Sequence, residues 1–506
     1  MAEEAKMLGH SLCNSEHEQQ IDNFSTVLEK IAGLYAERLL SDITLEVGGK
    51  QYAAHRLILC ASSDVFQVML MNPRWSSSQE TLIQLKEDPS CEGVFEDFLR
   101  YLYTGRLRVD HLRVLPLVTL ADKYNVRDLV RLCVTYMSRH IVTATRHNQL
   151  VSWLQYTLNC GHSAVHTVCS DFITWNFELV ASMEDFGNLE VETLISFLRR
   201  SDLVVKSELQ LFHCIAAWLR VQEQKLSQSG DQKDAFGALV IEVMSHVRFP
   251  MLCPRQLAGL LTHPLIARYK DFFMARMAAA MEFHSKTNSE QFSSCNPEWT
   301  TPRIYMAETW STSLSIENYT KLSTYGVRTL VFTTPGSFSE ARQVRTLEWT
   351  VDVYPKGVLF RRFFLIAWQG TLEIPESASK TVRLSLTSKD VHESAHVAVG
   401  VLVSGKQDDV EHVRAVVRRE YTFTEEDRML NINDLVPYGE LNDAPGGSSP
   451  FLVGPQADVL KLHVVITPLL RCRYAVVLWC RKYDSACWIQ VARVGAQQNP
   501  GLLKHC

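Results

Sequence analysis

The chain is 506 residues long and carries a formal charge of −5, with 46% hydrophobic and 21% charged residues. That length holds about three domains with ample core, and the acidic balance excludes a general affinity for nucleic-acid phosphates. Its 13 cysteines follow no framework spacing, which points to reduced thiols, and no apolar run reaches the ~18 residues of a membrane span.

Residues 1–22 are polar and acidic, and the expectation for them is disorder. The opening MAEEAKMLGHSLCNSEHEQQ has no basic region followed by an apolar run, so no secretory signal is expected. The compartment read from this is the cytoplasm, with the nucleus as the alternative. From Phe24, the residues Val27, Leu28, Ile31, Leu34 and Tyr35 recur at helical spacing. Ile43, Leu45 and Val47 then alternate with Thr44 and Glu46, the pattern of a half-buried strand. Gly48-Gly49 suits a two-residue hairpin turn, and Lys50–Ala54 returns. Ser63 or Asp64 can cap the helix that carries Phe66, Met69 and Leu70. TLIQL (81–85) reads as a further strand. CEGVFEDFLRYLYTGRL reads as a helix closed by Gly105. Two more helices follow, with Asn125 at the left-handed break between them.

Residues 23–142 therefore predict an α+β module with a small sheet. Residues 143–285 predict successive helices without a strand, interrupted by a polar loop at 222–234. Residues 286–300 form a polar linker. From 301 to 470, runs such as LEWTVDVYP, RRFFLIAW, TVRLSLTS, HVAVGVLVS, VRAVVRREYTF and VLKLHVVITP predict short strands separated by turns, the pattern of an antiparallel β-sandwich. Residues 471–506 are a C-terminal extension with no assigned place. The fold class is multidomain α+β.

Catalytic chemistry finds little support. The sequence holds no phosphate-cradling glycine loop and no G-x-S-x-G elbow. His55 has no identifiable nucleophile or orienting acid and reads as a structural histidine. The best metal-like cluster is CGHSAVHTVC, with Cys160, His162, His166 and Cys169. Two histidines at i and i+4 can share a helix face and zinc accepts N and S ligands, but Val165, Val168 and Phe172 mark the same stretch as core. It is a weak candidate, and the expectation is no metal and no cofactor. Cys472, Cys480 and Cys487 are spaced too widely for a finger. No nucleic-acid-binding module is recognisable.

Four ordered motifs, SDITLEV, AHRLILCASSDVF, FLRYLYTGRL and LADKYNV, give residues 23–142 a specific resemblance to the BTB/POZ domain. FITWNFELV, LRRSDLVV, ELQLFHCIAAWL and VRFPML make residues 143–285 similar to the all-α BACK domain. LEWTVDVYPKG gives residues 301–470 a looser resemblance to TRAF/MATH-type sandwiches. The BTB resemblance implies a homodimer in which Asp42 and Arg56 line a charged pocket at the two-fold interface. The alternative is local: Asp42 caps the start of the strand and Arg56 faces water. The order of modules implies a non-catalytic adaptor that recruits an unknown protein substrate, held by the sandwich, to a Cullin-3 ubiquitin ligase. Phe66, Met69, Trp75 and Tyr124 are the candidate cullin contacts. Cullin-binding relatives often carry a hydrophobic-x-Glu triplet, and here Ser77 stands where Glu is expected. That departure keeps open a second reading, a non-ligase homodimeric scaffold. Neither reading involves nucleic acid or membrane.

Overall fold

The computed structural model describes residues 23–74, 79–229, 233–285, 297–339, 346–359, 379–389, 394–443 and 449–469. The chain divides into two compact units, at Arg139.

The first unit opens with α1 (Phe24–Ala36). A hairpin follows, β1 (Ile43–Val47) and β2 (Lys50–Ala54), then α2 (Arg56–Ser62), α3 (Asp64–Met71) and β3 (Leu82–Leu85). It closes with α4 (Pro89–Glu92), α5 (Phe95–Thr104), α6 (Val114–Lys123) and α7 (Arg127–Arg139). The alternating run in β1 buries Ile43, Leu45 and Val47 on one face. Gly48 and Gly49 both take positive φ, so the chain reverses in two residues and Val47 pairs with Lys50. β1 is the centre of the sheet, antiparallel to β2 and parallel to β3. Ser63 is the N-cap of α3: its Oγ accepts the Phe66 N–H at 3.0 Å and donates to the Tyr124 carbonyl at 2.5 Å. Phe66 stacks on Tyr124, with centroids 4.4 Å apart, and Tyr124 meets Phe98 at 5.6 Å. These rings, with Leu59, Phe95, Leu99, Leu117 and Leu120, are the core. Gly105 and Asn125 take the left-handed conformations expected of them.

The second unit begins with helices: α8 (Ile141–Arg146), α9 (Leu150–Asn159), α10 (Ser163–Trp175), α11 (Phe177–Ala181) and α12 (Val191–Arg199). After a two-residue strand, β4 (Val204–Val205), come α13 (Glu208–Ser229), α14 (Lys233–Met244), α15 (Pro254–Leu260), α16 (Pro264–Arg268) and α17 (Lys270–Ser285). Trp153, Phe177, Phe212, Trp218, Phe249 and Phe273 fill its core. Two expectations are corrected. The polar stretch 222–234 is not a loop over most of its length, because α13 runs through Ser229. Its charged side chains find neighbours: Glu223 pairs with Arg268 at 2.5 Å, and Lys225 donates to the Gly187 carbonyl at 2.7 Å. The helical region also does hold a strand, since β4 pairs in parallel with β5 (Ile304–Tyr305), the chain just before the sandwich.

The sandwich is two four-stranded antiparallel sheets. Its strands are β6 (Ser311–Ile316), β7 (Arg328–Pro335), β8 (Thr346–Tyr354), β9 (Arg383–Ser388), β10 (Ala395–Gln407), β11 (Val410–Phe423), β12 (Met429–Ile432) and β13 (Leu460–Pro468). One sheet has the order β11-β10-β13-β6 and the other β12-β9-β8-β7. Leu347, Trp349, Val351 and Val353 of β8 face Val397, Val399, Val401 and Val403 of β10 across one core. β10 is buried from Val397 through Gly405, on both faces, because its other side is covered within the same unit. The expected strands at 383–388, 395–423 and 460–468 are present. β6, β7 and β12 were not anticipated. RRFFLIAW (361–368) and residues 471–506 lie outside the described residues.

Trp349 is fully buried between the sheets, 5.1 Å from Phe423, and its indole N–H donates to Thr334 Oγ1 at 2.8 Å. Trp349→Ala should destabilise the second unit by about 3–5 kcal/mol through lost transfer energy and the cavity left behind. Denaturant unfolding of the full chain measures this, and a loss under 1 kcal/mol, on the order of a surface substitution, would contradict the packing described.

Candidate interaction sites

Asp42 and Arg56 are brought together through the backbone. Asp42 Oδ1 accepts the Arg56 N–H at 2.8 Å, satisfying a donor at the start of α2, while the Asp42 N–H donates to Ala54 O at 3.2 Å. The Arg56 guanidinium donates to the carbonyls of Leu70, at 3.4 Å, and Glu80. Asp42 is exposed and Arg56 half-buried. The intrachain role is thus a helix cap and a tie between α2 and the end of α3.

His55 is built into the same corner. Its Nε2 lies 2.6 Å from Leu39 O, and a carbonyl only accepts, so the proton sits on Nε2. Nδ1 therefore accepts from the Tyr103 hydroxyl at 2.9 Å, and that hydroxyl accepts the His55 backbone N–H at 2.8 Å. Burial pushes the Tyr103 phenol up to about 12, so it stays protonated. Both ring nitrogens are satisfied, and His55 pins the connection after α1. In that connection Arg38 and Leu40 hold positive φ angles of 52° and 58°, conformations costly for residues with a Cβ.

α1 has an apolar stripe, yet none of its residues is buried. Phe24 is 68% exposed and Val27 51%. A groove of about 310 Å³ runs between Phe24, Leu28 and Ala32 and the end of α5 at Thr104 and Arg106.

The residues singled out around α3 divide differently from expectation. Phe66 and Tyr124 are buried against each other, so they support this surface from beneath and do not form it. Tyr124 donates to Glu87 Oε1 at 2.5 Å, and burial holds its phenol far above the usual range. Met69 is half-buried, and Trp75 and Ser77 lie outside the described residues. The exposed apolar row is Val65, Val68 and Met71, with Val68 53% and Met71 64% exposed, and Leu57 is exposed on α2. Sequence reading passed over these residues, although their spacing of three placed them on one helix face.

The metal-like cluster is not assembled. Cys169 is buried in the helical core, where burial pushes its thiol up to about 12, away from the thiolate a metal needs. Cys160 is exposed, His162 precedes α10 and stacks on Tyr156, and His166 is half-buried. Among the described residues no group of three or more His, Cys, Asp or Glu is placed to hold a metal ion, and no helix is long and apolar enough to cross a membrane. In the sandwich, β7 is an eight-residue strand that among the described residues pairs on one side only, with β8; Arg328 is its single charged residue and Val331 is exposed.

Comparison with known families agrees with this architecture. Residues 32–141 match the BTB/POZ domain, residues 150–262 the BTB And C-terminal Kelch (BACK) domain, and residues 300–470 the BTBD17 TRAF domain. The chain is therefore a three-module BTB, BACK and TRAF protein, and all three modules are of protein-interaction type. It is similar to BTB/POZ domain-containing protein 17 of Homo sapiens, 28% identical over 464 residues that cover 89% of each chain. The Xenopus laevis protein of that name is 27% identical over 347 residues, 67% of this chain and 69% of its own. Galectin-3-binding protein of Mus musculus is 25% identical over 342 residues, 62% of this chain and 56% of its own.

Asp42→Ala removes the acceptor for the Arg56 N–H and should cost about 1 kcal/mol, the usual worth of a helix cap. Asp42→Asn keeps an acceptor oxygen and should recover most of that loss. Denaturant midpoints of the two variants in the full chain check this, and equal midpoints for Asp42→Ala and wild type would contradict the capping role.

Proposed function

We propose that this chain is a non-catalytic adaptor that pairs with a second copy through its BTB module and presents targets bound by its TRAF sandwich to a Cullin-3 ubiquitin ligase. The observation that carries the proposal is α1. The helix carries Phe24, Val27, Leu28 and Ile31 on one stripe; α5 leaves Leu28 and Ile31 half-buried and Phe24 and Val27 exposed, and no residue is fully buried, so a further covering surface would stabilise it. A second copy does so with two-fold symmetry, each α1 lying on the other chain. The strained residues Arg38 and Leu40, and the His55 bond to Leu39, hold α1 ready for that contact. Asp42, exposed beside Arg56 at the same corner, would add charge to the seam. There it would set geometry more than stability.

The cullin contact is assigned to the exposed row Val65, Val68 and Met71, with Phe66 and Tyr124 as its rigid support. Trp75, outside the described residues, stays a candidate contact. The sandwich would take an extended target segment along a free sheet edge such as β7, where main-chain bonds give affinity and alternate side chains give specificity. Two copies would raise avidity for a target with two such segments. The scaffold reading keeps the dimer and the sandwich and drops the cullin. Ser77, where cullin binders often carry Glu, favours it.

Binding of the purified full chain to the N-terminal region of Cullin-3 decides between the two. The ligase reading predicts binding at micromolar concentration or tighter, weakened at least about tenfold, a loss of about 1.4 kcal/mol, by Val68→Asp with Met71→Asp. No binding by a wild-type chain that is demonstrably dimeric would leave the scaffold reading in its place.

A further inference from the structure

The four residues Pro302–Tyr305 are buried in the second unit, between the BACK helices and the sandwich. They run as an extended strand, so their side chains alternate. Arg303 and Tyr305 both reach Glu208 at the start of α13, with Arg303 Nε 3.3 Å and the Tyr305 hydroxyl 2.7 Å from Glu208 Oε2. Ile304, on the opposite face, lies against β10 at Gly400. A Cβ there would stand 3.4 Å from Ile304 Cγ2, in van der Waals contact, so Ile304 packs directly on β10. On either side of Ile304 the backbone is paired: the Ile304 N–H donates to Leu203 O at 3.2 Å and the Met306 N–H to Val205 O at 2.9 Å.

Arg303 is 1% exposed. Its Nη1 donates to the carbonyls of Leu198, at 2.8 Å, and Arg200, at 3.0 Å, and its Nη2 to His246 O at 2.9 Å. Arg248, also buried, donates to Thr301 O at 2.6 Å and to the carbonyls of Arg199 and Arg200, both at 3.2 Å, while its backbone N–H donates to Glu208 Oε1 at 2.7 Å. Glu208 is therefore shared: one oxygen faces the Arg303 guanidinium and the Tyr305 hydroxyl, and the other accepts the Arg248 backbone N–H, while the Arg248 guanidinium is held by carbonyls. Helix ends supply the rest: the carbonyl end of α12 faces both cations, and the N–H end of α13 holds Glu208. Burial, with Arg303 beside it, pushes Arg248 down to about 10, which still leaves it charged at neutral pH. Burial also raises the Tyr305 phenol, so it remains a donor.

We infer that the BACK module contains a docking groove for an Arg-x-Tyr strand, filled in cis by residues 302–305, and that this contact joins the helices to the sandwich independently of the covalent connection. The groove has a strand edge (β4), a carboxylate reached by both Arg and Tyr, and a set of helix-terminal carbonyls spaced to accept from the several N–H donors of one guanidinium. A second clamp supports it. The Asn176 amide donates to Val413 O at 2.9 Å and accepts the Val413 N–H at 2.8 Å, standing where a further strand beside β11 would stand. Arg146 adds a bond to Asp408 O at 2.7 Å. Residues 301–306 thus serve the helical module as much as the sandwich they introduce.

The test uses the full chain with a sequence-specific protease site introduced within residues 286–296, ahead of the docked strand, and cut to completion after purification. The two fragments are expected to elute together from a native sizing column and to part only in denaturant. Separation of folded fragments on the native column overturns the inference. The same cut chain with Tyr305→Phe loses one bond to Glu208 without leaving a cation unpaired. Its fragments should part at a measurably lower denaturant concentration than the wild-type pair. Arg303→Ala should part them without denaturant or prevent the chain from folding. If the Tyr305→Phe and Arg303→Ala fragments both stay joined as firmly as wild type, the Arg-x-Tyr groove is not what holds them.

Discussion

An apolar helix face only partly covered by its own module is the constraint on which the account of the first unit rests. Burial of a Leu or Phe side chain contributes about 1.5–3 kcal/mol, and α1 gains none of this in full, although its sequence has the stripe to do so. The corner that follows α1 nevertheless holds it in a defined place. His55 gives both ring nitrogens to this corner, Tyr103 is buried to receive one of them, and two non-glycine residues accept left-handed backbone. A chain that invests in positioning a helix it does not bury is arranged for an external surface. A second copy of the same module, as proposed above, would supply that surface with closed symmetry.

The second unit solves the opposite problem, a buried excess of positive charge. Glu208, Arg248 and Arg303 have almost no contact with water, and desolvating them costs several kcal/mol per ion unless partners replace the water. Here a carboxylate, two helix termini and a tyrosine do so. The consequence for function is mechanical. The sandwich is seated on the BACK helices through β5, so that whatever it binds is carried at a fixed attitude to those helices. In an adaptor, a fixed attitude limits which target residues can be presented, and gives the module order a purpose beyond connection.

Much of the first unit was legible because its signals are local. Alternation in Ile43–Val47, the Gly48-Gly49 turn, the Ser63 cap, and left-handed Gly105 and Asn125 each depend on neighbours a few residues away. Direction was not legible: Phe66 and Tyr124 read as aromatic anchors, yet they face each other, and only packing decides that. Hydrophobic periodicity could not show β4 and β5, since two-residue apolar pairs carry no period. Nor could spacing join Glu208 to Arg303, which meet only after the helices fold. The small residues Ala398 and Gly400 in β10 were a visible sign that something packs closely on that strand, and they went unread. β7, rich in threonine and exposed on alternate residues, lacked the apolar content that marked its neighbours. The metal-like cluster failed for a related reason: α10 turns Cys169 into the core while Cys160 stays outside.

Sedimentation equilibrium of the full chain across a range of micromolar concentrations, compared with a chain carrying Val27→Asp and Ile31→Asp on the apolar stripe of α1, tests the central claim most directly. The account predicts twice the chain mass for the natural sequence and a shift to the single-chain mass for the variant with its helical content retained. A natural sequence that sediments as one chain throughout, or a variant that remains paired, would contradict it.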